Sequence, residues 1–264
     1  MQMIGDVMQF HYSALCGRGR IRSVNQDNVY CCGKFRADPG SSEIFSAEGV
    51  ADGSGVFCVA DGMGGGAFGE EASLEAVKLL REAGGPASKK DVDKYIRAAN
   101  ALVCSAAEEK GAGLMGTTLA YVGFDGRRAL AANVGDSRIY RLRDGELEQL
   151  SRDHTVLSSL ISMGILSGED AAQHPDRHSL SQYIGIPEEE MLIEPDFASW
   201  RLQPGDVIML CSDGLSGFVQ DAEFARLLKE RSVPGEACEA LYRAAEEAGS
   251  DDNISVVVIR ADKN

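Results

Sequence analysis

A chain of 264 residues, 44% hydrophobic and 25% charged, has ample apolar material for a buried core and no long biased stretch of the kind that stays disordered. Its formal charge of −15 argues against nucleic acid and against an anionic membrane surface, since both are bound through clustered Lys and Arg. No apolar run reaches membrane-spanning length, and residues 1–10, interrupted by Asp6, lack a basic-then-apolar signal pattern, so a cytoplasmic protein is expected.

Residues 9–15 and 28–32 read as the first two strands, with a turn-rich segment between them. Residues 33–55 hold Pro39, Gly40, Ser41 and Ser42 and show no sustained period, which predicts a surface loop. Residues 56–60 form a continuous apolar strand that stops at Asp61-Gly62-Met63-Gly64-Gly65-Gly66. A helix over 70–82 would bury Ala72, Leu74, Ala76, Val77, Leu79 and Leu80 and end at Gly84-Gly85-Pro86. Ser88 and Asp91 resemble a capping box opening a second helix over 91–110, with Val92, Tyr95, Ile96, Ala99, Leu102 and Val103 inward. Strands over 117–124, 129–134, 137–142 and 147–150 follow, the first pair joined by Asp125-Gly126 and the last by Asp144-Gly145. A short helix at 156–163, an irregular segment over 164–178 and strands at 191–200 and 206–211 come next. Helices over 222–230 and 234–248 precede a last strand, 254–259.

Strands joined directly by turns imply antiparallel sheet. The succession of strands, helices, strands, helices and a strand is an α+β order, which two antiparallel sheets covered by helix pairs would satisfy. No internal repeat is visible, and residues 84–88 are too short for an interdomain linker, so one domain over 1–264 is expected. The seven cysteines, Cys16, Cys31, Cys32, Cys58, Cys104, Cys211 and Cys238, include no CxxC pair and several sit in apolar runs. They read as buried free thiols of a reducing compartment.

The informative pattern is an apolar strand ending in Asp with Gly or Ser nearby: 56–60 leads to Asp61-Gly62, 131–135 to Asp136-Ser137 and 207–212 to Asp213-Gly214. Asp251-Asp252-Asn253 stands just ahead of the last strand. Any one Asp-Gly reads most simply as a turn. That reading suffices for Asp125-Gly126 and Asp144-Gly145, which lie between polar strand ends. It must hold for all the others at once, and a rim of carboxylates on buried strands calls for something that offsets mutual repulsion. A divalent cation does so, and oxygen ligands without a thiolate or His cluster select Mg²⁺ or Mn²⁺ over Zn²⁺. Two such ions can activate a shared water for attack on phosphorus. Arg18, Arg20 and Arg22 alternate, so an extended segment would put three guanidiniums on one side, suited to phosphate; a solvated basic loop is the plainer meaning.

In chain order, Gly19-Arg20-Ile21-Arg22-Ser23-Val24-Asn25-Gln26-Asp27, Val59-Ala60-Asp61-Gly62-Met63-Gly64-Gly65, Gly116-Thr117-Thr118, Asn133-Val134-Gly135-Asp136-Ser137-Arg138, Ser212-Asp213-Gly214-Leu215 and Asp252-Asn253-Ile254-Ser255 resemble the metal-dependent protein phosphatases of type 2C. The resemblance implies a four-layer αββα sandwich, two central antiparallel sheets flanked by helix pairs. It also implies hydrolysis of phosphoserine and phosphothreonine in proteins at a centre of two Mn²⁺ or Mg²⁺ ions, with a place for a third. By similarity Asp61 bridges the two metals, Gly62 offers its carbonyl oxygen, and Asp213 with Asp252 completes the first. Asp136, with Asp213, matches the third-ion place, Arg22 the phosphate-binding arginine, and Asp27 the carboxylate that holds metal-associated water. Gln26 departs from the Glu often found there as an outer ligand of the second metal, and an amide contributes no charge.

Met63 stands where many eukaryotic members carry His as a proposed general acid, and a thioether cannot donate a proton. Residues 151–185 match the family's flap. His174 and His178 are spaced for a zinc pair, but Pro175 and the lack of neighbouring ligands speak against it, and His154 is read as structural. The implied partners are phosphorylated proteins, including a cognate Ser/Thr kinase or its targets, and a monomer is expected. The competing reading is a pseudophosphatase that binds phosphoproteins without turnover; retention of Asp61, Asp213 and Asp252 argues against it.

Overall fold

A computed structural model describes residues 7–64, 68–85, 87–167, 170, 174, 176 and 179–263. In chain order the elements are β1 (Met8–Gly17), β2 (Asn28–Cys31), β3 (Lys34–Phe35), β4 (Phe45–Asp52), β5 (Ser54–Ala60), β6 (Gly62–Met63), α1 (Gly69–Glu82) and α2 (Lys89–Lys110). There follow β7 (Gly116–Thr117), β8 (Leu119–Asp125), β9 (Arg128–Val134), β10 (Arg138–Arg143), β11 (Glu146–Gln149) and α3 (Val156–Ser162). The chain continues through β12 (Asp196–Arg201), β13 (Val207–Cys211), α4 (Asp213–Ser216), α5 (Asp221–Glu230), α6 (Pro234–Glu247) and β14 (Ile254–Lys263).

Two six-stranded sheets result, in the orders β11-β10-β13-β14-β1-β4 and β12-β9-β8-β5-β2-β3, and every pairing within them is antiparallel. Strand periodicity sets the layers. Phe10, Tyr12, Ala14 and Cys16 of β1 point at Phe57, Val59, Val122 and Phe124 of the other sheet. Phe10 stacks on Phe124 at 4.6 Å and Tyr12 meets Phe57 edge-on at 5.2 Å, offset arrangements favoured by the ring quadrupoles. The outer face of the second sheet (Tyr30, Cys58, Tyr121) packs on Leu80, Ile96 and Val103 of α1 and α2, and that of the first (Met209, Val256, Val258) on Phe224, Leu228 and Leu241 of α5 and α6. Covered on both faces, β14 reads as a continuous apolar run at Val256–Ile259 rather than an alternating one, the pattern of a fully buried strand. The four-layer α+β sandwich expected from the sequence is the architecture observed.

The expected helices form, and Ser88 caps α2: its Oγ accepts the Asp91 N–H at 3.2 Å and donates to the Asp91 carboxylate. Asp125-Gly126 and Asp144-Gly145 are hairpin turns, with Gly126, Asp144 and Gly145 at φ +57°, +51° and +83°. Other expectations need correction. Residues 45–52, expected as loop, are the edge strand β4 on β1. Only Ala47 of β4 is buried, so an edge strand with one solvated face and a glycine under the Tyr12 ring leaves little apolar period to read. The expected strand over 191–200 begins only at Asp196. In α2, Leu102 is exposed and Asn100 is buried instead, because its amide receives the Gly185 N–H (2.7 Å) and donates to the Ile186 carbonyl (2.9 Å). The cysteines are free thiols, with Cys32 and Cys104 half-buried and the other five buried.

Candidate metal centre

Asp27 directly precedes β2 and Asp61 directly follows β5. These strands pair with Asn28 opposite Ala60, which sets the two aspartates side by side at one end of a sheet. In the other sheet β13 and β14 are neighbours, with Asp213 opening α4 just after β13 and Asp252 just before β14. Asp136 lies in the tight connection from β9 to β10. Antiparallel pairing thus gathers strand starts and strand ends from both sheets onto one rim.

The electrostatics show how near these groups stand. Desolvation, then the charges of Asp27, Asp213, Asp252 and Asp136, hold the Asp61 carboxyl well above its ordinary range. Burial pushes Asp27, 1% exposed, up to about 7, with the neighbouring Ser255 hydroxyl and the Ser212 hydrogen bond opposing the rise and Asp252 and Asp213 adding to it. Asp252 is raised by burial and by Asp213, against the pull of the Asn253 N–H and Arg22. All five aspartates singled out in the sequence are therefore brought within one another's field.

The surrounding motifs hold this rim in place. The Asp61 main chain is pinned by Thr117 and Thr118: its N–H donates to Thr118 Oγ1 (3.0 Å), and its carbonyl accepts the Thr118 N–H (2.8 Å) and the Thr117 hydroxyl (3.0 Å). Ser212 Oγ donates to Asp27 Oδ2 at 2.8 Å and accepts the Ser255 N–H at 3.0 Å, which ties the two sheets together at the site. Asn253 receives the Gln26 N–H (2.8 Å) and donates to the carbonyls of Arg18 (3.0 Å) and Val24 (2.9 Å). Gly62 is wedged between the main chains of Gln26 and Gly69, where a side chain has no room.

Arg22 donates to Asp252 Oδ2 at 2.7 Å and to the Asp251 carbonyl at 3.1 Å, so its exposed guanidinium sits at the mouth of the carboxylate crevice. Arg20 pairs with Glu246 at 3.4 Å. The segment carrying the arginines turns at Gly19 (φ +68°), so extended alternation does not describe it. The Gln26 amide donates to Glu70 Oε2 at 3.1 Å, which leaves its carbonyl oxygen as the other end of the group. Met63 pairs with Gly116 in the two-stranded ladder of β6 and β7. His154 is buried, desolvation pushes its pKa down, and its Nδ1 faces the Gly135 N–H at 3.4 Å. His174 is half-buried, and His178 and Pro175 lie outside the described residues.

The donor set fits hard divalent cations. Every group offered is an oxygen, and Asp27 Oδ1 is buried without a hydrogen-bond partner, a polar atom aimed at a ligand. Among the described residues no three His, Cys, Asp or Glu side chains are drawn together into a ready cage. Sequence reasoning assigned the charged groups of this site but no role to Ser212, Asn253, Thr117 or Thr118. Each lay inside a quoted motif as a small polar residue beside an aspartate, and that was the available signal.

The protein phosphatase 2C family model matches residues 45–247. A serine/threonine phosphatase, stp, of Listeria monocytogenes is 32% identical over 254 residues, covering 93% of each chain. The serine/threonine protein phosphatase PstP of Mycobacterium tuberculosis is 34% identical over 253 residues, 94% of this chain and 44% of that longer protein. A crystal structure of the Mycobacterium tuberculosis serine/threonine phosphatase PstP/Ppp superposes with a TM-score of 0.81 at 31% identity, covering 96% of this chain and 99% of that one. The PstP catalytic domain in complex with two manganese ions superposes at 0.79 with 30% identity, covering 97% and 99%. With a family model matching residues 45–247 and relatives above 30% identical over more than nine-tenths of the chain, the chain belongs to the protein phosphatase 2C family.

Proposed function

We propose that the chain hydrolyses phosphoserine and phosphothreonine in proteins, using two Mn²⁺ or Mg²⁺ ions held by Asp61, the Gly62 carbonyl, Asp213 and Asp252. The observation that carries this reading is the rim of carboxylates assembled from both sheets, whose mutual repulsion a pair of divalent cations relieves. When bound, the ions supply Lewis acidity that activates water and neutralises the phosphoryl oxygens. Arg22, at the crevice mouth, takes two phosphoryl oxygens in the paired geometry that a guanidinium offers. Asp27, with Oδ2 taken by Ser212, orients water through Oδ1. Gln26, its amide anchored on Glu70, contributes a carbonyl oxygen to the outer shell of the second ion, and Asp136 serves a third. Met63 offers no proton, so the leaving seryl or threonyl oxygen takes its proton from water.

The whole chain acts as one catalytic domain with a flap over 151–185, and as a monomer. Its partners are phosphorylated proteins, among them a cognate kinase or its targets. No helix among the described residues is long and apolar enough to cross a membrane, and the free thiols support a cytoplasmic setting. The test is hydrolysis of a phosphothreonine peptide with Mn²⁺, with Mg²⁺ and with EDTA, in wild type and Asp213→Asn. Turnover that needs the ion and is lost in the variant is expected. A folded protein that binds the phosphopeptide but turns nothing over with either ion would replace the enzyme with a binding module.

A further inference from the structure

Arg36, just beyond β3, is 3% exposed. Burying a guanidinium is costly unless its donors are satisfied; here the two terminal nitrogens donate to three main-chain carbonyls, Asn25, Asp27 (3.1 Å) and Pro39 (3.0 Å), while Nε is buried without a partner. Its own main chain is locked to β2 by Asn28, whose Oδ1 accepts the Arg36 N–H at 3.1 Å and whose Nδ2 donates to the Arg36 carbonyl at 2.9 Å. The two site carbonyls it grips flank Gln26. The Gln26 carbonyl is held separately by Ser73 Oγ at 2.6 Å and the Gly62 N–H at 3.2 Å. Three successive carbonyls are thus fixed, the outer two by one side chain, in the segment from which Asp27 and Gln26 extend.

We infer that Arg36 is a positioning residue of the metal centre: by clamping the Asn25 and Asp27 carbonyls it sets the direction of the Asp27 carboxylate and the Gln26 amide. The inference rests on the reading of the crevice as a metal centre. A planar fork with several donors can bridge separate carbonyls in a fixed relation, which an ammonium at the end of a flexible stem cannot, so lysine is no substitute here. By gripping Pro39 as well, Arg36 couples the segment after β3 to the rim.

The test is calorimetric titration with Mn²⁺ alone, together with thermal unfolding, of wild type, Arg36→Lys, Arg36→Gln and Phe35→Ala. Phe35 belongs to the same hairpin but packs toward the α1–α2 layer beneath Arg81, so its loss loosens the hairpin without touching the clamped carbonyls. Both Arg36 variants are expected to bind Mn²⁺ about 10- to 100-fold more weakly, the usual effect of removing a residue that orients a ligand. Phe35→Ala is expected to melt earlier and keep wild-type affinity. Wild-type affinity in the Arg36 variants overturns the inference, as does equal weakening in Phe35→Ala. So does failure of both Arg36 variants to fold while Phe35→Ala folds, which would assign Arg36 to the fold alone. Absence of Mn²⁺ binding by wild type would instead overturn the metal-centre reading on which the inference stands.

Discussion

Asp61→Asn is expected to abolish phosphatase turnover and, in EDTA, to raise the melting temperature. The first half follows from the proposed role of Asp61 in holding both ions: Lewis-acid stabilisation worth several kcal/mol would correspond, at about 1.4 kcal/mol per tenfold, to a loss in kcat/KM of at least about a thousandfold. The second half follows from linkage. The Asp61 carboxyl is held above its ordinary value of 3.8 by desolvation and by four neighbouring carboxylates, so the folded chain binds that proton more tightly than the unfolded chain. Stability contributed by the protonated group is lost as pH rises from the unfolded value through the folded one. At neutral pH this proton linkage therefore weighs against the metal-free fold, and a neutral amide of the same shape removes the penalty. Thermal scans of both proteins in EDTA and with Mn²⁺ check this: EDTA should favour the variant, and added Mn²⁺ should raise the melting temperature of wild type much more than that of the variant. A variant that melts earlier in EDTA would mean that Asp61 is a net structural asset, and the account of the crevice would fail.

Gly62→Ala is expected to be nearly as damaging to activity, for steric reasons. A Cβ at Gly62 would run into the main-chain carbonyls of Gly69 and Gln26. Neither can swing aside as a side chain could, since the Gln26 carbonyl is also tied to Ser73 and Gly69 opens α1. Overpacking of this kind costs about 1–3 kcal/mol. The shift falls on the residue whose carbonyl is a proposed metal ligand, and a misplacement of about 1 Å at a reacting centre costs about a hundredfold in rate. Urea unfolding should show the moderate loss of stability and phosphopeptide kinetics the larger loss of kcat/KM. Wild-type kinetics in Gly62→Ala would show that the main chain there has slack and that its carbonyl position is immaterial.

What the sequence makes legible here are features written in runs. Asp61, Asp136 and Asp213 stand out because each ends a strand apolar enough to be recognised, and Asp252 because it stands at the matching start of one. The turns at Asp125-Gly126 and Asp144-Gly145 declare themselves by residue type, since a positive φ at these positions favours Gly, Asn and Asp. The helices on either side follow from their periods and the Ser88 cap. What escapes is set by tertiary contact. β4 is an edge strand whose sequence, Phe45-Ser46-Ala47-Glu48-Gly49-Val50-Ala51-Asp52, alternates only weakly, with small Ala and Gly on its inner face and Val50 exposed, so its pairing with β1 is what marks it as a strand. Asn100 replaces Leu102 as a buried residue of α2 because partners at Gly185 and Ile186, far along the chain, satisfy its amide. Arg36 lies in a segment with no pattern, and its meaning comes wholly from the carbonyls it meets. Arg22 is legible as a cation near phosphate chemistry, but not its contact with Asp252, which depends on how the turn at Gly19 folds back toward β14.

The central claim, that one rim of aspartates from two sheets holds a pair of divalent ions, is tested most directly by titrating Mn²⁺ calorimetrically into protein stripped with EDTA and dialysed, in wild type and in Asp213→Asn. The account predicts two ions bound per wild-type chain, and a loss of sites or of affinity in the variant with the fold retained. Binding of no Mn²⁺ by wild type, or identical isotherms for the two proteins, would contradict it.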